Sequence, residues 1–262
     1  MITIAIINLK GGVGKSVTTC NLAAELAAAH KSVLVVDLDK QANTTKFYEA
    51  LDYEMASVGD VLTGDYKANE VICKTSDLEI GLLPANMNLL KANRQILLDT
   101  TEPQQVRLRE ALYPLADDWD FALLDCPPDL DMGSINALCA ADYAIVPVDC
   151  DEWAVDGLRE ILDQMDRIRM YYNPRLQMMG VLITKFQRTR YARQTVEELS
   201  CWEVPLLTTA IRYSTVVKEA KSAHQPLRSY SPASKPAEDY KALAAEILAR
   251  LEGQDNGQGI QN

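Results

Sequence analysis

Residues 9–19 read LKGGVGKSVTT, and the residue types are those that hold phosphate. Glycines 11, 12 and 14 let backbone N–H groups turn toward one point, which a Cβ at those positions would hinder. In the pattern G-x-x-x-x-G-K-[ST], the lysine neutralises the β- and γ-phosphates and the hydroxyl ligates Mg²⁺. Gly14, Lys15 and Ser16 fit it, with Val13 and Val17 on either side. The position that should open the pattern is Leu9, however, and a second lysine, Lys10, stands beside it. Mg²⁺ at a phosphate site also needs nearby carboxylates. Asp37 and Asp39 end the run SVLVVDLD (32–39), where strand alternation puts both on one side, and Asp125 ends FALLD. A carboxylate there holds Mg²⁺ or its waters, or orients an attacking water, which is most of what phosphoryl transfer asks of a protein.

These groups need a scaffold that brings strand ends and a helix start together. ITIAIIN (2–8) is an apolar, β-branched run that stops at the glycine loop, and so predicts a buried strand. A helix over 15–29 follows, with Leu22, Ala23, Leu26 and Ala27 on one face. Further strands are expected at 32–39, 120–128, 143–148 and 178–184, and the segment 85–116 reads as mainly helical with a break at Pro103. Strands alternating with helices predict an α/β, doubly wound, mostly parallel sheet flanked by helices on both faces. A last helix, roughly Pro236–Leu251, carries Tyr240, Leu243, Ala244, Ile247 and Leu251 at helical spacing. We expect one domain, 1–251, and a frayed polar tail, 252–262.

Composition narrows the class. The chain has 262 residues, 48% of them hydrophobic, and no apolar run approaches a membrane span. Six scattered cysteines without C-x-x-C spacing, and two histidines, give no metal framework and suit a reducing cytoplasm; no signal peptide is evident. The net charge of −11 is unevenly spread: Arg167–Ala237 holds twelve basic and four acidic residues, a net +8, which leaves −19 on the rest. Such asymmetry marks a surface for an anionic partner, or a solvated face.

KGGVGKS, VLVVDLDKQAN, FALLDCPP, GVLITKFQRTRYARQTVEEL and IRYSTVVKEAKSAHQPL, in that order and spacing, resemble the deviant Walker A ATPases of the ParA/Soj/MinD superfamily, and most of all its short Soj-like ParA proteins. The resemblance spans essentially residues 1–250. It implies a P-loop NTPase fold of SIMIBI type, Mg²⁺-dependent hydrolysis of ATP and an ATP-bound homodimer. It implies non-specific binding to double-stranded DNA, a ParB-like adaptor that stimulates hydrolysis, and a cytoplasmic, nucleoid-associated life without a membrane. Lys10 corresponds to the family's signature lysine, which reaches the phosphates bound by the other subunit, as an arginine finger does. Asp39 corresponds to the water-activating aspartate, Asp37 to an accessory Mg²⁺ carboxylate, Asp125 to the Walker B aspartate and Thr184 to an adenine contact. Lys185, Arg188, Arg190 and Arg193, with Arg212, Lys218 and Lys221 from the next strand–helix junction, occupy the positions where related proteins hold DNA.

Two departures stand out. Val17 replaces a hydroxyl residue that usually touches the α-phosphate. D-x-D-P-Q-G reads Asp37-Leu38-Asp39-Lys40-Gln41-Ala42, without its proline and glycine, so the rate of that loop is open. Two other functions compete. A MinD-like membrane-positioning ATPase needs a basic amphipathic C-terminal helix, and the tail here is acidic and polar. A reductase-like electron carrier needs cluster-ligating cysteines, and an amidotransferase-type synthetase does not need Lys10.

Overall fold

The computed structural model describes residues 1–77, 79–150, 154–202 and 204–258, without the side chains of 154–156 and 254–258. In chain order it runs β1 (Ile2–Ile6), α1 (Lys15–Ala28), β2 (Val33–Asp37), α2 (Asn43–Phe47), α3 (Val58–Leu62), α4 (Ala68–Val71), β3 (Cys73–Lys74) and β4 (Ile80–Leu83). Then come α5 (Leu89–Leu98), α6 (Arg107–Leu112), β5 (Phe121–Asp125), α7 (Met132–Ala140), β6 (Tyr143–Asp149), α8 (Ala154–Tyr171) and β7 (Gln177–Thr184). The chain closes with α9 (Arg190–Ser200), α10 (Val216–Ser222), α11 (Leu227–Tyr230) and α12 (Lys235–Gln258). The seven strands form one sheet in the order β3-β4-β2-β5-β1-β6-β7. All pairings are parallel except that of β3 with β4.

A parallel sheet buries both faces, so alternate residues of each strand feed two separate cores. Leu34 and Val36 of β2, Ala122 and Leu124 of β5, and Val146 of β6 face one cluster with Leu89, Leu108, Leu138 and Ile161. Val33 and Val35, with Phe121, Leu123 and Ile145, face the other, where Leu22, Ala23, Leu26 and Ala27 of α1 meet Tyr240, Leu243, Ala244, Ile247 and Leu251 of α12. The faces expected for both helices are thus the buried ones. β5 lies at the centre with β2 on one side and β1 on the other, which brings the loop after β1 to the same sheet edge as the ends of β5 and β2.

Several expectations shift. β2 stops at Asp37, so Asp39 lies in a loop rather than on the strand. Asp39 Oδ1 accepts the Gln41 N–H (2.9 Å) and its carbonyl accepts that of Ala42 (2.7 Å), a turn that competes with the sheet ladder. The segment 85–116 holds α5, α6 and a short 3-10 turn at Tyr113–Leu115, with Pro103 in the gap between the helices. β3, β4 and the short helices α2–α4 were not legible, being too short to show a period. The final helix continues past Leu251 to Gln258, into the segment expected to fray; 259–262 lie outside the described residues.

Candidate active site

The loop joining β1 to α1 is pinned before it turns. Asn8 is buried; its Nδ2 donates to the Pro147 carbonyl (2.6 Å) and its Oδ1 accepts the Lys10 N–H (2.9 Å). Gly12 (φ 79°) and Gly14 (φ 98°) occupy left-handed backbone that glycine takes without a Cβ penalty, and Gly14 opens α1. The helix N-terminus thereby points its free N–H groups and positive dipole end at the loop. Lys15 is buried, and its ammonium donates to the carbonyls of Asn8 (2.9 Å) and Lys10 (3.2 Å). Burial lowers its pKa, opposed by the charges of Asp125, Asp39 and Asp129, which therefore lie within electrostatic reach.

The carboxylates come from the adjacent strand ends. Asp37 and Asp125 are register partners on β2 and β5, and both are fully buried. Burial pushes the Asp37 carboxyl up to about 7, with the Asp125 charge adding to it. Burial likewise pushes Asp125 up to about 6, while the hydroxyls of Thr44 and Ser16 and the Lys15 charge pull it down. Their hydrogen bonds differ. Asp37 Oδ2 accepts the N–H and hydroxyl of Thr45 (both 2.8 Å), and its Oδ1 accepts the Asp39 N–H (3.1 Å). Both oxygens are engaged inside the protein, so Asp37 holds the loop and α2 in place from beneath. Asp125 Oδ2 accepts the Thr44 hydroxyl (2.7 Å), but its Oδ1 is buried without a hydrogen-bond partner.

That orphaned oxygen tests the site for a metal. Among the described residues no group of three or more His, Cys, Asp or Glu side chains could hold an ion alone. Mg²⁺ is seldom caged that way; it uses one or two protein oxygens, waters and substrate phosphates. A buried carboxylate oxygen that makes no well-formed hydrogen bond, with the Ser16 hydroxyl near enough to lower its pKa and a glycine loop beside it, fits that donor set.

Other assigned residues fall as follows. Lys10 and Val17 are half-buried, and Gly11 and Gly12 are exposed, at the mouth of the loop. A pocket of about 240 Å³ beside the loop is lined by Gly12, Val13, Gly14, Val17, Thr184, Tyr213 and Val217, among others. Thr184 lines it, but its hydroxyl donates to the Val13 carbonyl (2.8 Å), so this group fastens the loop to β7. The two basic junctions adjoin: the Phe186 N–H donates to the Ile211 carbonyl and the Tyr213 N–H to that of Phe186. Arg188, Arg190, Arg193, Lys218 and Lys221 are exposed there. Two members of the expected set differ. Arg212 is gripped by Asp239 (2.6 Å) and Glu238 (3.3 Å), and Lys185 pairs with Asp149 (2.7 Å). Arg212 thus already holds two carboxylate partners, although more than a third of its side chain is exposed.

Sequence reasoning missed Asn8, Thr44 and Thr45. Two hydroxyl residues following D-x-D at a helix start are a usable signal, because strand-end carboxylates need donors. It also missed an ion pair between Lys40 and Asp129 (3.3 Å).

A family model described as an AAA domain matches residues 1–178. The sporulation initiation inhibitor protein Soj of Bacillus subtilis (strain 168) is 37% identical over 250 residues, 94% of this chain and 98% of that protein. The chromosome partitioning protein ParA of Myxococcus xanthus (strain DK1622) is 34% identical over 250 residues, 94% and 88% of the two chains. Among solved structures, cobyrinic acid a,c-diamide synthase from Mycobacterium smegmatis, with bound ADP and magnesium, superposes with a TM-score of 0.84 at 29% identity, over 96% of each chain. Likeness of this extent, to proteins of the kind the motifs resemble and on a sheet that sets the glycine loop beside Asp125, means that the chain belongs to the ParA/Soj family of deviant Walker A P-loop ATPases.

Proposed function

We propose that the protein hydrolyses ATP to ADP and phosphate in a Mg²⁺-dependent reaction, dimerises when ATP is bound, and binds duplex DNA without sequence preference to partition or position a DNA cargo. A ParB-like adaptor resets it by stimulating hydrolysis. The observation that carries this reading is the meeting of the glycine loop, Lys15 and the unpartnered Asp125 Oδ1 at one sheet edge. Lys15 exchanges two loop carbonyls for the β- and γ-phosphates, whose charge it offsets. Ser16 and Asp125 would hold a Mg²⁺ ion, which would supply charge neutralisation for the phosphates, and Asp39 orients the attacking water. Lys10 acts in trans on the partner's nucleotide, a cation supplied where transition-state charge grows. Exposed Leu90 and Leu130 offer apolar surface for such a dimer; the Asn93–Asp131 hydrogen bond (2.8 Å) ties their two segments together.

Arg188, Arg190, Arg193, Lys218 and Lys221 form the DNA face, with Lys185 and Arg212 supporting it from their ion pairs. Pairing two subunits doubles this face against the chain's overall negative charge, and every phosphate contact releases counterions. No helix among the described residues is long and apolar enough to cross a membrane, and the reading places the protein in the cytoplasm, on the nucleoid when ATP is bound. Co-sedimentation with random duplex DNA and with anionic liposomes tests it. We expect ATP-dependent pelleting with DNA only, lost in high salt and weakened by Arg190→Glu with ATPase retained. Pelleting with liposomes alone would favour the membrane reading. A synthetase, as the name of the solved neighbour suggests for that protein, would neither dimerise through Lys10 nor bind DNA.

A further inference from the structure

Asp39 sits in the five-residue loop between β2 and α2, where two neighbours depart from the family pattern, and the structure shows what takes their place. Lys40 stands where the pattern has proline, and its ammonium reaches Asp129 Oδ2 at 3.3 Å in the loop that follows β5. The two side chains come from the loops that follow the adjacent strands β2 and β5. Asp129 is itself fixed: its carbonyl accepts the Ser134 hydroxyl (2.5 Å), and its charge is felt by Lys15. Ala42 stands where the pattern has glycine and adopts φ 52°, ψ 42°, left-handed backbone that an alanine takes only against a steric cost. A loop without proline, carrying a residue in a disfavoured conformation, needs an external tie to hold one geometry.

We propose that Lys40 is a positioning residue for Asp39 and that its ion pair with Asp129 is this tie, restraining the loop in which Asp39 faces the phosphate site. The inference rests on the reading of Asp39 as the residue that orients water. Lys40 touches no reacting atom; it acts through Asp129 on the width of the Asp39 loop's motion. Exposed pairs of this kind are weak, so the effect is a rate modulation.

Steady-state hydrolysis of Mg-ATP by the full chain is the test, in Lys40→Ala, Lys40→Arg, Asp129→Ala, the double variant Lys40→Ala with Asp129→Ala, and Asp39→Ala. The expected result is a three- to fivefold lower kcat in Lys40→Ala, with KM for ATP within twofold and thermal stability unchanged. Lys40→Arg restores turnover, and Asp129→Ala lowers it equally without adding to the loss in the double variant. Added salt slows the parent but not Lys40→Ala. Parental kcat in Lys40→Ala, additive losses in the double variant, or failure of arginine to rescue would overturn the tie. If Asp39→Ala keeps parental turnover, the assignment of Asp39 falls and the inference falls with it. A loss in Asp39→Ala with parental turnover in Lys40→Ala removes this inference alone.

Discussion

Replacing Asp125 by asparagine should stabilise the protein in the absence of metal and nucleotide, although it removes the proposed Mg²⁺ ligand. The buried carboxyl titrates near 6 rather than 3.8. Each unit of displacement is about 1.4 kcal/mol, so above pH 7 the ionised group costs the folded state about 3 kcal/mol. The sign follows from linkage: the folded chain binds this proton more tightly than the unfolded chain, so stability falls as pH rises from about 4 through 6 and the penalty is complete above that. Asparagine carries no such charge and its oxygen still accepts the Thr44 hydroxyl. Its amide, though, places N–H groups where Oδ1 now lacks a partner, a cost of about 1 kcal/mol. The net gain is about 2 kcal/mol at pH 8, shrinking to under about 1 kcal/mol at pH 5, where the parent carboxyl is largely protonated. Thermal melts with a chelator present read this directly; for a chain of this size the pH 8 gain is roughly 4 °C or more. With Mg-ATP added the order reverses, because only the parent gains from binding. A variant no more stable than the parent at pH 8, or a gain equal at pH 8 and pH 5, would refute the argument that this site holds an unfavourable buried charge ready for a cation.

Thr45→Val should cost about 2–3 kcal/mol in urea unfolding at pH 8, because Asp37 Oδ2 loses a donor and the Ala85 N–H, which the Thr45 hydroxyl accepts at 2.9 Å, is left buried without a partner. Ala42→Val should cost at least about 2 kcal/mol, since a β-branched side chain is placed at φ 52° in a position only 2% exposed; a melt within one degree of the parent would count against the left-handed assignment. Lys15→Ala should abolish ATP binding in calorimetry. Lys10→Ala should leave nucleotide binding by the monomer intact and prevent ATP-dependent dimerisation in light scattering; dimerisation like the parent's would remove its role in trans.

The glycine loop, its lysines and the apolar runs were legible in the sequence because each depends on local chemistry. Glycine at 12 and 14 is demanded by the backbone of a phosphate cradle, and a β-branched run between a helix period and a turn has one stable reading. The same holds for the faces of α1 and α12, where a period of 3.6 fixes which residues meet the sheet before any partner is known. What the tertiary structure decided is which charges are available. Asp37 and Asp125 look alike at two strand ends, yet Thr45 and the Asp39 amide satisfy one while the other keeps an oxygen without a donor. Arg212 and Arg190 look alike in a basic segment, yet Asp239 and Glu238, more than twenty residues further on, pair only with the first. A sequence states how many donors, acceptors and charges a chain has. Which of them find one another is set by contacts between residues far apart in the chain, and only the folded sheet brings those into hydrogen-bonding reach.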